Sequence, residues 1–142
     1  MCPSHNILKL LTTIVLGVIF TMKRLMTKYF AKWAKKQNLP DPELLNALLE
    51  MEDGHYDAGL GGHVYKKRIR FKEMGKSGSG RTIICYKRSD RAIFIHGFAK
   101  NEKVNITTKE LLAFKELAKV LLSLSMSEID KALLNGDFVE VK

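Results

Sequence analysis

Eight cations are the residues of this chain best suited to chemistry: Lys66, Arg68, Arg70, Lys76, Arg81, Arg91, Lys100 and Lys103. Between Val64 and Lys103 there are 12 Lys or Arg residues and three acids (Glu73, Asp90, Glu102), a net +9. The whole chain, with 24 basic and 15 acidic residues, is also +9, so everything outside that stretch sums to zero. Charge concentrated on adjacent strands builds a positive face, and the partner such a face fits best is a polyphosphate, nucleic acid first. A cluster of cations can hold a phosphodiester and stabilise the extra negative charge of its transition state. It can do so without metal when the substrate brings its own nucleophile, as RNA does in the 2′-hydroxyl beside each phosphate. For any single lysine, a solvated strand face is the competing reading.

Other chemistries find little support. Gly75-Lys76-Ser77 resembles the end of a G-x-x-x-x-G-K-[ST] phosphate loop, but the required first glycine falls on Arg70 and the segment joins two strands. Without a helix N-terminus such a loop lacks its dipole and converging N–H groups. His5, His55, His63 and His96 are scattered, with no two at ligand spacing, and Cys2 and Cys85 form no zinc pattern or disulfide framework. We therefore expect no metal and no cofactor. Cysteine usage of this kind fits a reducing, cytoplasmic compartment. The acids fall mostly on helix surfaces, so paired carboxylates are unpromising.

The cations need elements to position them. At 142 residues, 46% hydrophobic and 27% charged, the chain has the make-up of one globular domain with a real core. Lys23 to Met26 reads as a short edge strand. Thr27 is an N-cap for a helix to about Gln37, stopped by Asn38 and Pro40. Asp41-Pro42 opens a second helix with Leu44, Leu45, Leu48, Leu49 and Met51 as its apolar stripe, ended by Gly54. So short a break predicts an antiparallel helical hairpin. Gly59-Leu60-Gly61-Gly62 reads as a turn before a strand from Val64 to Phe71. There Lys66, Arg68 and Arg70 alternate with Tyr65, Lys67, Ile69 and Phe71. A Gly/Ser/Lys loop, 72–80, leads to strands over Arg81–Arg88 and Arg91–Ala99, joined by a two-residue turn at Ser89-Asp90. These form an antiparallel meander with one face against the helices and the other basic. Capping boxes at Thr107–Glu110 and Ser125–Glu128 open two further helices. The first carries Leu111, Phe114, Leu117, Ala118 and Leu121; the second is ended by Gly136. Phe138 to Val141 adds a terminal strand. The class is α+β, with helices packed on one side of a small antiparallel sheet.

Ile7 to Phe20 is an apolar run, too short for a spanning helix of about 20 residues. It also lacks the charge and cleavage site of a signal peptide. Met22 is read as the start of the functional domain and residues 1–21 as an upstream extension. A membrane-associating segment and a packed helix are the alternatives.

From Met22 on, the chain resembles the RelE/HigB superfamily of toxin–antitoxin toxins. It is most similar to a RelE-like branch with a GKSG-x-x-R loop, here Gly75 to Arg81, and an FAKNE strand end, here Phe98 to Glu102. The Trp33-bearing helix, Asp57-x-x-Leu60-Gly61-Gly62, Val64-Tyr65-Lys66-Lys67-Arg68, Asn105-Ile106, Leu111 and Lys115-Glu116-Leu117-Ala118 continue the match across nearly all of 22–142. The resemblance implies a microbial-RNase-like fold, a helical pair on a twisted antiparallel sheet. It further implies an mRNA interferase that cleaves messenger RNA in the ribosomal A site and is neutralised by a cognate antitoxin covering the basic face. On that reading Arg81 clamps the scissile phosphate, and Lys66 or Arg68 orients the 2′-hydroxyl or stabilises developing charge. Lys76 holds flanking backbone, and Arg70, Arg91 and Lys103 contact RNA. RelE carries an arginine and a tyrosine where this chain has Asn101 and Thr107, so the general acid and base fall to Lys100, Glu102 or Tyr86. Glu102 reads equally as a structural partner of a neighbouring lysine. Three other readings compete: a ParE-type toxin that inhibits a protein such as DNA gyrase, a nucleic-acid-binding module without activity, and a degenerate, inert toxin.

Overall fold

Thr27 marks the first change of direction among the described residues. In the computed structural model, which describes residues 22–70, 79–99 and 105–142, strand β1 (Lys23–Thr27) gives way there to helix α1 (Lys28–Lys36). The Thr27 hydroxyl accepts from the Phe30 amide, satisfying one of the orphan donors of the first turn. Asn38, in the left-handed region at φ 55°, stops α1. The Leu39 amide then returns to the Ala34 carbonyl. Helix α2 (Asp41–Glu52) has Pro40 as its cap residue, one position earlier than the sequence suggested. Asp41 is thereby released from capping, and its carboxylate accepts from the Lys142 amide at 2.7 Å, tying down the end of the chain.

Two of the glycines expected to form a turn, Gly59 and Gly61, lie instead in a strand. Strand β2 (Ala58–Gly61) pairs antiparallel with β3 (Val64–Arg70), and the connection is only Gly62-His63. Both residues have positive φ, 62° and 63°, the signature of a mirror-image hairpin turn. Strands β4 (Ser79–Lys87) and β5 (Arg91–Ala99) follow, then α3 (Thr108–Ser123), α4 (Met126–Asn135) and β6 (Phe138–Glu140). The β4–β5 connection has three residues, not two, because Lys87 pairs with Arg91 and Ser89 takes φ 64°. Both expected capping boxes are present, at Thr107/Glu110 and Ser125/Glu128.

The six strands form one sheet in the order β2-β3-β4-β5-β1-β6. Every neighbouring pair is antiparallel except β1 and β5, which run parallel. β1 is therefore not an edge strand: β6 covers its outer side. On one face, Phe30 and Ala34 of α1 and Leu44, Ala47, Leu48 and Met51 of α2 pack on Ile69, Ile84, Tyr86, Ala92 and Phe94. The two helices do not simply pair as a hairpin, since α1 lies mainly on β5 and β1 while α2 lies on β3. On the other face, Ala118 and Leu121 of α3 and Ile129 of α4 cover Leu25, Val64, Ile83, Cys85, Ile93 and Ile95. The expectation of helices on one side and an open basic face on the other is thus corrected. Both faces are buried, because each amphipathic helix needs an apolar surface and the sheet offers two. Arg68 and Arg70 of β3 nonetheless remain exposed. Among the described residues no helix is long and apolar enough to cross a membrane.

Candidate functional site

The antiparallel register of β3 and β4 sets Arg68 directly opposite Arg81 and Lys66 opposite Ile83. Directly opposed residues share a sheet face, so Lys66, Arg68, Arg70 and Arg81 all lie on the α3 side. Arg68 and Arg70 are exposed, and Lys66 is half-buried, its Nζ 3.4 Å from Asn105 Oδ1. Arg81 is held more tightly: its Nε donates to Asp57 Oδ2 at 2.8 Å, with the two side chains 22% and 27% exposed. The Nη1 atom of Arg81 is buried and without a hydrogen-bond partner. A charge-assisted contact thus fixes one edge of the guanidinium, while another carries an unsatisfied donor. Two arginines thus face each other across one strand gap, and Asp57 is in contact with Arg81. Like charges so opposed repel each other.

Bending of β5 adds a second feature to this face. The β4–β5 ladder pairs Ile83 with His96 but Ile84 with Phe94, so Ile95 is an extra, bulged residue. From the bulge onward the alternation of β5 is reversed, which turns His96 and Phe98 to the Arg81 face. Phe98 is then directly opposite Arg81, and His96 is a diagonal neighbour at roughly 7–8 Å between backbones. His96 packs against Phe114 of α3 (5.1 Å between ring centroids) and stacks on Tyr29 of α1 (5.9 Å, 9° from parallel).

On the α2 face the cation of β3 is Lys67, which lies between Tyr65 and Ile69. Lys67 is buried and bonded to Glu50 at 3.0 Å, a satisfied structural ion pair. Beside it an open cleft of about 370 Å³ between α2 and β3 is lined by Glu43, Asn46, Glu50, Asp57, Arg68 and Arg70, among others.

Several expected site residues fall elsewhere. Arg91 is corrected from an RNA contact to a structural residue: it is 5% exposed, and its Nη1 donates to the carbonyls of Leu121 (3.0 Å) and Leu124 (2.7 Å). Its Nε reaches Asp90 Oδ1 at 3.3 Å. A cation there satisfies the orphan carbonyls at the C-terminal end of α3 and suits the negative end of the helix dipole. Tyr86 is not placed to act on a phosphate at Arg81, because it lies on the α2 face, 7% exposed. Burial, then the Glu52 carboxylate, pushes its phenol above the usual range. The Cys85 thiol is wholly buried and pushed up to about 12 by that burial, against a smaller lowering by Arg91, so it is no nucleophile. Thr107, where RelE has a tyrosine, is the N-cap of α3. Lys76, Lys100, Glu102 and Lys103 lie outside the described residues. Among the described residues no three His, Cys, Asp or Glu side chains converge as metal ligands.

Asp57, His96 and Tyr29 were missed as site residues. Asp57 stood within a matched motif but carried no charge-pairing signal in sequence. The position of His96 depends on the bulge at Ile95, which alternation cannot foresee.

Helices on both faces of one mixed six-stranded sheet make this an α+β protein, the class expected from the sequence. Residues 22–141 match the family model described as RelE toxin of RelE/RelB toxin–antitoxin system, and the chain belongs to this family. It is a toxin of the RelE type. A comparison with curated proteins found no match.

Proposed function

We propose that this toxin is a ribosome-dependent mRNA endoribonuclease that arrests growth by cleaving messages in the ribosomal A site, and that a cognate antitoxin neutralises it by covering the cationic rim. The observation that carries the reading is the opposed pair Arg68 and Arg81, with Asp57 fixing one guanidinium. In the proposed step the RNA 2′-oxygen attacks the adjacent phosphorus and the P–O5′ bond breaks. The products are a 2′,3′-cyclic phosphate and a 5′-hydroxyl end. The 2′-hydroxyl loses a proton and the departing 5′-oxygen gains one, while the phosphate passes through a state with one more negative charge. Arg81 clamps the non-bridging oxygens, and Arg68 with Lys66 offsets the charge that develops. Arg70 holds flanking backbone, a role the sequence also assigns to Lys76 and Lys103, and Lys100 remains the candidate for proton transfer. Ribosomal alignment of the 2′-oxygen with the leaving group supplies a large part of the rate, since orientation alone is worth several kcal/mol.

Inducible expression of wild type beside Arg81→Ala, with growth and mRNA 5′ ends followed together, tests this. New ends and arrest, both abolished by the substitution, are expected. Arrest with intact mRNA would move the target to a protein such as gyrase. No arrest in either strain would leave a nucleic-acid-binding module or an inert toxin.

A further inference from the structure

Tyr29 stands on the first turn of α1 and is 65% exposed. The helix buries Phe30 and Ala34 against the sheet, yet leaves this large aromatic side chain mostly in water. Its ring is not loose. It lies 9° from parallel to the His96 ring at 5.9 Å, and His96 is itself flanked by Phe98 at 6.1 Å and Phe114 at 5.1 Å. The result is a braced stack with one member presented to solvent. Bracing before a ligand arrives lowers the ordering cost of binding.

Location gives the stack a meaning. The bulge at Ile95 sets His96 diagonal to Arg81 on one sheet face, so the aromatic stack begins beside the cationic pair. On the Tyr29 side positive charge continues, with Lys28, Lys32, Lys35 and Lys36 all exposed and no acid in α1. Cations along a path with aromatic rings beside it are what single-stranded nucleic acid requires: backbone held by charge, bases held by stacking.

We infer that the Tyr29–His96 stack is a base-stacking subsite for single-stranded RNA, taking the base of a nucleotide that flanks the phosphate held by Arg68 and Arg81. The inference rests on the RNA reading of that site and adds to it the group that holds the neighbouring nucleotide. Every base has a π-face, so the subsite grips substrate without dictating sequence.

The test uses the purified full chain and short single-stranded RNAs carrying one 2-aminopurine, whose fluorescence falls on stacking. Wild type and Tyr29→Phe should quench the probe at one position. Tyr29→Ala should lose that quenching and bind about 5- to 150-fold more weakly, the range for loss of one stacked base. An abasic nucleotide at the quenched position should weaken wild type by a similar factor and leave Tyr29→Ala unchanged. Equal affinity and quenching in Tyr29→Ala, no quenched position in wild type, or an abasic penalty equal in both proteins would overturn the subsite. Rescue by phenylalanine separates lost stacking from lost folding. Cleavage enters none of these readouts. A chain that quenches through Tyr29 but leaves cellular mRNA intact keeps the subsite and refutes the interferase. One that cleaves through Arg81 but is indifferent to Tyr29 does the reverse.

Discussion

Arg68 and Arg81 occupy directly opposed positions on neighbouring antiparallel strands, with their side chains on the same face. Like charges so placed destabilise a sheet, typically by a few tenths to about 1 kcal/mol. Asp57 offsets one of the two through its 2.8 Å contact with Arg81, which leaves the pair with a surplus cation. Arg68→Gln should therefore raise unfolding stability by about 0.2–1 kcal/mol. The same substitution should weaken single-stranded RNA binding and flatten the slope of log K against log salt by about 0.7. Denaturation and salt titration on the same protein check both halves. Equal stability with an unchanged slope would show that Arg68 meets neither its neighbour nor a phosphate.

Among the described residues, Arg81 is the cation that Asp57 is ion-paired with. Acting through the guanidinium, it is a positioning residue, and removing an acid should not weaken attraction for RNA. Asp57→Ala is expected to lower the single-turnover cleavage rate on programmed ribosomes by about 100-fold, the usual cost of a misplaced group. Its affinity for single-stranded RNA should be unchanged or higher. A parallel loss of affinity would make Asp57 part of the fold rather than of the alignment.

Arg91 predicts the opposite pattern. Truncation to alanine strands two helix-end carbonyls inside a buried site, and hydrogen bonds to charged groups contribute about 1.5–3 kcal/mol. Arg91→Ala should lose about that much in chemical denaturation while the salt slope of RNA binding stays as in wild type. A shallower slope would restore Arg91 to the RNA-binding set.

How much of this was legible beforehand depended on range. Thr27, Thr107 and Ser125 each bond an amide three residues away, so their caps could be read from neighbouring residue types. The alternation of Lys66, Arg68 and Arg70 likewise declared a cationic strand face. Whatever joins distant segments was hidden. Arg91 finds its acceptors 30 and 33 residues on, so in sequence it looked like any other surface cation. An amphipathic helix reveals that it has a buried side, not which face of the sheet it covers, so α3 and α4 were set on the wrong layer. The Arg68–Arg81 opposition, the Asp57 contact and the re-aimed His96 all follow from register, which one bulged residue is enough to change.

Gly97 tests the packing that holds α1 and its exposed tyrosine in place. A Cβ there would fall well inside contact distance of Trp33 Cζ3 and Cε3, and the indole is a rigid plane packed on the core. Glycine in a strand is otherwise unfavourable, so its presence marks a close approach. Gly97→Ala should cost about 1–3 kcal/mol, the range for forced overpacking. Trp33→Leu in the same protein should recover part of the loss by vacating that space. Recovery would identify the steric clash as the cause; no loss on Gly97→Ala would show that α1 shifts freely.

Cys85 ties stability to alkaline pH. Its thiol is pushed up to about 12 in the folded chain from an ordinary 9.0. Between those values the unfolded chain has given up the proton and the folded chain keeps it. Stability from this group is thus complete below about pH 9 and falls as pH rises toward 12, by about 1.4 kcal/mol per unit. Tyr86, raised by burial from 10.0, acts in the same direction at higher pH. Cys85→Ala should therefore be less stable than wild type at neutral pH, because it leaves a cavity, yet show a shallower decline from pH 9 to 10. Denaturant midpoints across that interval decide it. Parallel declines would mean that Cys85 ionises in the folded state, and thiol alkylation of the native chain at pH 9 would then be fast rather than limited by unfolding.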